Sequence, residues 1–272
     1  TPVVAADHAL SNATAIVAPL RQNFEQIRPM LSDKADLQQL DALQAWTETS
    51  LERLWPALEA RARDGFIREC HGDIHLGNAT LLDGRATLFD CIEFNEPFRK
   101  TDVYADIGFL AMDLEDRGLK PLANRLISEY LELTGDYEGL ELLNFYKAYR
   151  ALVRATVALF GLSPDADAER RAAVLAQYRN YANLAESYSA IASRFLAITH
   201  GVSASGKSHV ALRLTESLGA IRLRSDVERQ RLFSNENGER YGSDASEATY
   251  NRLNELASLV LHAGFSVVLD AT

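Results

Sequence analysis

The run Gly201-Val202-Ser203-Ala204-Ser205-Gly206-Lys207-Ser208 constrains this chain more than any other stretch, because it satisfies G-x-x-x-x-G-K-[ST] between a short apolar run and a helical pattern. The spacing needs a strand, a loop and a helix. The glycines let backbone N–H groups turn inward around phosphate oxygens, and the start of the helix adds positive potential. Gly201, Ser203, Ala204, Ser205 and Gly206 would form the cradle, Lys207 would reach the β and γ phosphates, and Ser208 would ligate magnesium. A Ser/Gly-rich turn with a surface lysine is the plainer alternative. Only five of the 28 basic residues are lysines, which makes one at this position notable.

The surroundings suit the loop. Phe195–Ile198 reads as a short buried strand and Ser208–Leu218 as a helix. Leu223 falls in a second strand and Phe265–Leu269 in a third, with a helix from about Ser246 to His262 ending at Gly264. A parallel sheet begins here. Asp226 follows the second strand, 19 residues after Lys207, and Asp270 closes the third. Ligands of open α/β sheets sit beyond the carboxyl ends of strands, so both carboxylates should face the phosphates. Asp226 would accept a proton from a substrate hydroxyl, and Asp270 would hold magnesium through water. As structural alternatives, Asp226 caps a helix beginning at Val227 and Asp270 is a strand-end turn residue.

GVSASGKS, RSDVERQRLF and VVLDAT together resemble the small-molecule P-loop kinases of the gluconate kinase, zeta-toxin and polynucleotide kinase group, over about Phe195 to Thr272. The resemblance implies that Asp226 is the hydroxyl-activating base and that Arg229 lines the acceptor pocket; otherwise Arg229 is a solvated helix residue. Such kinases continue with further strands, an arginine-bearing lid and an adenine-binding segment. Residues 191–272 would therefore be the N-terminal part of such a domain.

The first half has a different texture. Residues 1 to about 64 read as helical, with Leu37, Leu40, Leu43, Trp46, Leu51, Leu54 and Leu58 at helical spacing and a start at Ser32-Asp33. From Gly65 to Phe94 short apolar runs alternate with Gly and Asp, including a hairpin of Ala79–Leu82 and Arg85–Phe89 around Asp83-Gly84. Helices return from Asp102 to about Tyr188. In Glu141–Phe160 the residues Leu142, Phe145, Tyr149, Leu152 and Phe160 share one face and Lys147, Arg150 and Arg154 another. Gly161–Asp167 is a loop.

Within the β region stands His71-Gly72-Asp73-Ile74-His75-Leu76-Gly77-Asn78, followed by Leu88-Phe89-Asp90. Asp73 and Asn78 have the Asp-to-Asn spacing of the H-R-D-x-x-x-x-N loop, and Asp90 stands where a D-F-G aspartate would. Asp73 would take the acceptor hydroxyl proton, while Asn78 and Asp90 would hold magnesium on the nucleotide phosphates. Between residues 73 and 106 seven carboxylates face three basic residues, so triphosphate needs a divalent cation there. His71 and His75 lack the glutamate of a zinc motif and read as loop or core histidines. Cys70 and Cys91 read as small buried residues without zinc spacing.

HGDIHLGN, LFDCIEF and TDVYADIGFL resemble the aminoglycoside phosphotransferase and choline kinase-like family, whose fold is a protein-kinase-like pair of lobes. By that resemblance Asp73 is the catalytic base, Asn78 and Asp90 are metal ligands, and Asp106 braces the catalytic loop; the alternative for Asp106 is a helix N-cap. Glu93 stands three rather than two residues after Asp90, unlike the family's D-x-E. No Gly-rich nucleotide loop or lysine–glutamate pair precedes the motif, so residues 1–190 would be the C-terminal lobe without its N-terminal lobe. The order of the two motifs resembles a group of bacterial two-domain proteins. The expected fold is thus mainly α in its kinase-like lobe and α/β in its P-loop part.

A formal charge of −10 argues against nucleic acid or an anionic membrane as the general partner, and no apolar run is long enough to cross a bilayer. The cysteine usage suits the cytoplasm. These features point to an ATP- and magnesium-dependent kinase acting on a small hydroxyl-bearing molecule. The alternatives are an ATP-binding sensor with little transfer activity, or a polynucleotide end kinase served by Arg194, Arg213, Arg222, Arg224, Arg229, Arg231 and Arg240.

Overall fold

The computed structural model describes residues 1–5, 8–9, 12–163, 165–190, 192–202, 204–234 and 242–271. In chain order the elements are α1 (Ala13–Ile27), α2 (Lys34–Arg63), β1 (Ile67–Glu69), β2 (Ala79–Leu82), β3 (Arg85–Leu88), α3 (Glu96–Arg99), β4 (Lys100–Asp102), α4 (Val103–Asp116), α5 (Lys120–Thr134), α6 (Leu143–Leu159), α7 (Ala168–Ser187), β5 (Leu196–Ile198), α8 (Lys207–Leu218), β6 (Ile221–Arg224), α9 (Ser225–Leu232), α10 (Ser243–His262) and β7 (Val267–Asp270). They gather into two compact units, Thr1–Asp116 with Leu142–Ala190, and Arg117–Glu141 with Ile191–Thr272. The segment 117–141, which the sequence reading places with the first domain, packs in the second unit.

In the first unit Asp33 starts α2 by accepting the N–H groups of Ala35 and Asp36. Leu40, Leu43, Leu51, Leu54 and Leu58 of that helix are buried at the expected spacing. Arg61 near its end makes a buried two-pronged ion pair with Asp102, at 2.7 and 2.9 Å, which fixes the start of α4. β1 and β4 are antiparallel, and β2 and β3 form the expected hairpin with Ala79 opposite Leu88. Asp83 at φ 52° and Gly84 at φ 74° supply the left-handed pair that a two-residue turn needs.

Helix α6 differs from the two-faced reading. Leu142, Phe145, Tyr149 and Leu152 are buried, but so are Lys147 and Arg150, whereas Phe160 is 57% exposed. The reason lies on α4. Lys147 reaches Glu115 at 2.7 Å and lies 4.2 Å from the Tyr188 ring centre, and Arg150 lies over Phe109. Charged side chains are buried where each finds an opposite charge or a ring face.

In the second unit the sheet is parallel, in the order β5-β7-β6, with Leu196 and Ile221 both opposite Val267. All four residues of β7 are buried, and since successive side chains face opposite ways, both faces of the sheet are covered there. Ala211 of α8 packs with Ala220 and Val268 in that core. β5 corrects the expectation of a buried strand: Leu196 is 48% and Ile198 67% exposed, because β5 is an end strand of the sheet. At the other end α5 covers β6. Ala123, Ile127 and Leu131 form its buried face, Ser128 accepts the backbone N–H of Arg222 at 3.2 Å, and Glu132 pairs with Arg224 at 2.7 Å. The outward backbone N–H of Arg222 on this edge strand is thereby used. Among the described residues no helix is long and apolar enough to cross a membrane.

Candidate active sites

The loop from His71 to Asn78 is held from α4. The buried carboxylate of Asp106 accepts the backbone N–H of His71 at 2.7 Å and that of Gly72 at 3.0 Å. One face of the helix provides both clamps, because Asp113, two turns on, accepts the N–H of Leu76 at 2.8 Å. Burial raises the Asp106 pKa, against the pull of nearby Arg150 and of the two N–H donors. Asp106 is the fourth residue of α4 and its carboxylate points to the loop, so the N-cap alternative is excluded. Gly72 has φ 84°, and a Cβ there would meet the Phe98 carbonyl oxygen at 2.9 Å, so the tight passage requires glycine.

This clamp sets Asp73 at the mouth of the loop, with a side chain 36% exposed. Asn78, itself buried, donates from Nδ2 to the Asp73 carboxylate at 3.0 Å and to its carbonyl at 3.1 Å. That orientation turns Oδ1 of Asn78 away as a remaining acceptor. His75 Nδ1 accepts from Gly77 N–H at 3.0 Å, which places the ring proton on Nε2, 3.4 Å from Asp73. His71 Nε2 meets the Phe89 carbonyl at 2.9 Å and Ile92 N–H bonds to the His71 carbonyl, which fastens the segment around Asp90 to the loop. Asp90 is exposed, at φ 60°.

Asp73 and Asp90 line one cavity of about 540 Å³ together with residues of α1 and α6. Asn78 and Asp90 offer the hard oxygen donors that magnesium takes alongside phosphates and water. Among the described residues no cluster of three or more His, Cys, Asp or Glu is placed to hold a metal ion. Cys70 is buried, and burial raises its thiol pKa, but Cys91 is exposed and lines the cavity, contrary to the buried reading of both. It stands in the irregular segment between β3 and α3.

In the second unit the loop between β5 and α8 leads into a helix that starts at Lys207, with Gly206 at φ 88° before it. Ala204 is at φ 61°. Lys207 Nζ donates to the carbonyls of Gly201 and Val202, both at 2.9 Å, so the ammonium is folded over its own loop. A cavity of about 370 Å³ brings together Ala204, Ser205, Gly206, Lys207, Ser208, Asp226 and Asp270. Ser203 lies outside the described residues, as does Arg240.

The two carboxylates differ in kind. Asp226 is 76% exposed, with Arg224 at 3.5 Å; it sits inside the first turn of α9, whose cap position is Arg224, so the N-cap alternative does not hold. Asp270 is buried, and Arg222 donates twice to its Oδ2, at 3.0 and 2.6 Å, while Thr199 lies 3.4 Å from Oδ1. Arg229 is directed to Thr249 of α10, at 3.4 Å, and is not on the cavity wall. Asp113 was missed by sequence reasoning, although its seven-residue spacing from Asp106 was a usable signal; Arg222 was read only as one of a set of basic residues, and nothing local marked it as the partner of Asp270.

Comparison with known proteins agrees with two regions. The model of an AAA domain matches residues 196–272, and that of the phosphotransferase enzyme family matches residues 5–143, half of the chain. Among curated relatives are an uncharacterized protein of Mycobacterium bovis and uncharacterized proteins of two Mycobacterium tuberculosis strains, each 34% identical over 226 residues. That stretch is 78% of this chain and 43% of each relative, so the chain spans less than half the length of the relatives it matches. No solved structure matches. With its clamped aspartate loop inside the matched region and a kinase-like P-loop region after it, the chain belongs to the phosphotransferase enzyme family.

Proposed function

We propose that this protein transfers the γ-phosphoryl group of ATP, with magnesium, to a hydroxyl of a small molecule. The observation that carries the reading is the hold of Asn78 on Asp73 at the edge of the cavity that Asp90 also lines. Asp73 accepts the hydroxyl proton as the acceptor oxygen bonds to the γ phosphorus and the bond to the ADP oxygen breaks. Asn78 keeps the carboxylate aimed, and its own Oδ1 with Asp90 would hold the ion. Bound there, magnesium would offset charge on the phosphates. We assign residues 1–190 to a protein-kinase-like C-terminal lobe and 191–272 to the N-terminal part of a P-loop kinase domain. We place the protein in the cytoplasm, in keeping with its unpaired Cys70 and Cys91.

For the P-loop region we assign nucleotide binding to Gly201, Ser203, Ala204, Ser205, Gly206, Lys207 and Ser208, magnesium to Ser208 and Asp270, and hydroxyl activation to Asp226. The grip of Arg222 on Asp270 favours a second reading for this region, binding of ATP without transfer. A polynucleotide substrate is poorly supported, because Arg213, Arg222, Arg224 and Arg231 are each paired with a carboxylate. The test is transfer from γ-labelled ATP to a panel of hydroxyl compounds, with and without a chelator, in wild type, Asp73→Asn and Lys207→Ala. Transfer lost only in Asp73→Asn supports the assignment; transfer lost only in Lys207→Ala moves the chemistry to the P-loop region, and no transfer with intact ATP binding supports the sensor.

A further inference from the structure

In the first unit α6 and α7 pack along each other, and a further cavity opens between the end of α6 and the first turns of α7. The sequence makes the room. On its wall Arg154, Val157, Ala158 and Gly161 recur at i, i+3, i+4 and i+7, and so do Arg170, Ala173, Val174 and Gln177, so one face of each segment meets the other. With small residues at Ala158, Gly161 and Ala173, about 280 Å³ stays unfilled.

The charged residues on this wall are the two arginines, and among the described residues neither guanidinium has an ion pair or a hydrogen bond. Arg150, one turn earlier on α6, shows what a satisfied arginine looks like here: it has the Ala105 carbonyl at 3.2 Å, Asp106 at 3.9 Å and two ring faces. Arg154 has only the Tyr181 ring, 5.8 Å away. Its Nε is covered without a partner, and is the only one of its three guanidinium nitrogens so covered. A cation partly withdrawn from water without a counter-charge is costly, and an anion at its accessible end offsets that cost. Arg170 is exposed, and its Nη2 lies 3.9 Å from where a Cβ on Gly161 would stand, so its head reaches the loop end of the cavity. Asp167 caps α7 by accepting the Arg170 backbone N–H at 2.7 Å, and neither it, Asp165 nor Glu169 is on the wall.

We infer that Arg154 and Arg170 form an oxyanion site for a phosphate group, either free or carried by the small molecule that fills the cavity beside Asp73. Two guanidinium groups match the charge of a phosphate dianion and present forked donors to its oxygens. Val157 lines both cavities, so a ligand that passes it meets the arginines on one side and Asp73 on the other. The oxyanion site stands without the transfer reading; only its link to the acceptor rests on that reading.

Modification of the full chain by phenylglyoxal, read arginine by arginine by mass spectrometry in a chelator and without ATP, tests the site directly. Arg171, exposed on α7 and off the wall, is the internal reference. Millimolar inorganic phosphate should slow modification of Arg154 and Arg170 several-fold and leave Arg171 unchanged, and chloride at equal ionic strength should protect none of them. In Arg170→Gln, a change at an exposed position, the phosphate concentration that protects Arg154 should rise about 10-fold, and Arg154→Gln should do the same to Arg170. No slowing by phosphate, equal slowing of all three arginines, or wild-type protection in both variants would each overturn the inference. Sorbitol 6-phosphate separates the two sources. A phosphate carried by the acceptor predicts that it protects both arginines at lower concentration than inorganic phosphate and also slows alkylation of the exposed Cys91 in the neighbouring cavity by N-ethylmaleimide. A free phosphate predicts protection no better than that of inorganic phosphate, with Cys91 unaffected. Protection of the arginines in a protein that transfers no phosphoryl group would sink the catalytic reading and leave the oxyanion site standing.

Discussion

Replacing Asp106 by alanine should unfold the first unit far more readily than a surface change would. The carboxylate accepts two backbone N–H groups, from His71 and Gly72, and stands 3.9 Å from the buried Arg150. Each orphaned buried donor costs about 1–3 kcal/mol, and leaving a buried ion without its partner costs about 3–5 kcal/mol. These costs overlap, because water can enter the space alanine leaves and solvate both the donors and Arg150. We therefore expect a loss of about 3–5 kcal/mol, a large part of the roughly 5–15 kcal/mol that holds a domain together. Asp106→Asn retains one acceptor oxygen and should lose about half as much. Both tryptophans, Trp46 and Trp55, lie in α2 of the first unit, so urea denaturation followed by tryptophan fluorescence reads that unit. A loss under about 1 kcal/mol for Asp106→Ala, with an unchanged urea slope, would refute the claim that this carboxylate carries the loop.

Other substitutions probe the remaining parts. Gly72→Ala forces a Cβ to within 2.9 Å of the Phe98 carbonyl at φ 84° and should cost about 1–3 kcal/mol in the same fluorescence assay. Arg222→Leu leaves the buried Asp270 carboxylate without its ion-pair partner, so the second unit should lose about 3–5 kcal/mol, seen as a lower Tm by calorimetry. Glu48, whose pKa is lowered chiefly by its hydrogen bond from Arg21, gives an exposed pair worth about 0.2–1 kcal/mol. A depressed carboxylate contributes fully above its unfolded pKa and loses that contribution as pH falls through the folded one. The difference in urea stability between wild type and Glu48→Gln should accordingly be present at pH 7 and vanish below the ordinary glutamate range.

What was legible in the sequence was whatever geometry confines to adjacent residues. Asp83-Gly84 announces a hairpin because two successive left-handed residues suit few other sequences, and the glycines around Lys207 fix a strand–loop–helix in the same way. The motif His71–Asn78 was readable because Asp73 and Asn78 act on each other across one short loop. What depended on distant partners was not. Lys147 and Arg150 read as a polar face until Glu115, Asp106 and the rings of Tyr188 and Phe109 are brought to them. The role of α5 as the cover of β6 is set by Ser128 and Glu132 meeting residues over 90 positions away. Asp270 was expected to hold magnesium from its place at the end of a strand, but the grip of Arg222 on it needs the neighbouring strands of the sheet.

The measurement that bears most directly on the account is kcat for phosphoryl transfer in Asp73→Asn against wild type, with the Tm of each and its affinity for ATP and magnesium. A general base contributes about 10²–10⁴-fold, so kcat should fall by that factor while fold and nucleotide affinity stay within about twofold. A kcat within about threefold of wild type would contradict the assignment of the chemistry to the loop that Asp106 and Asp113 hold.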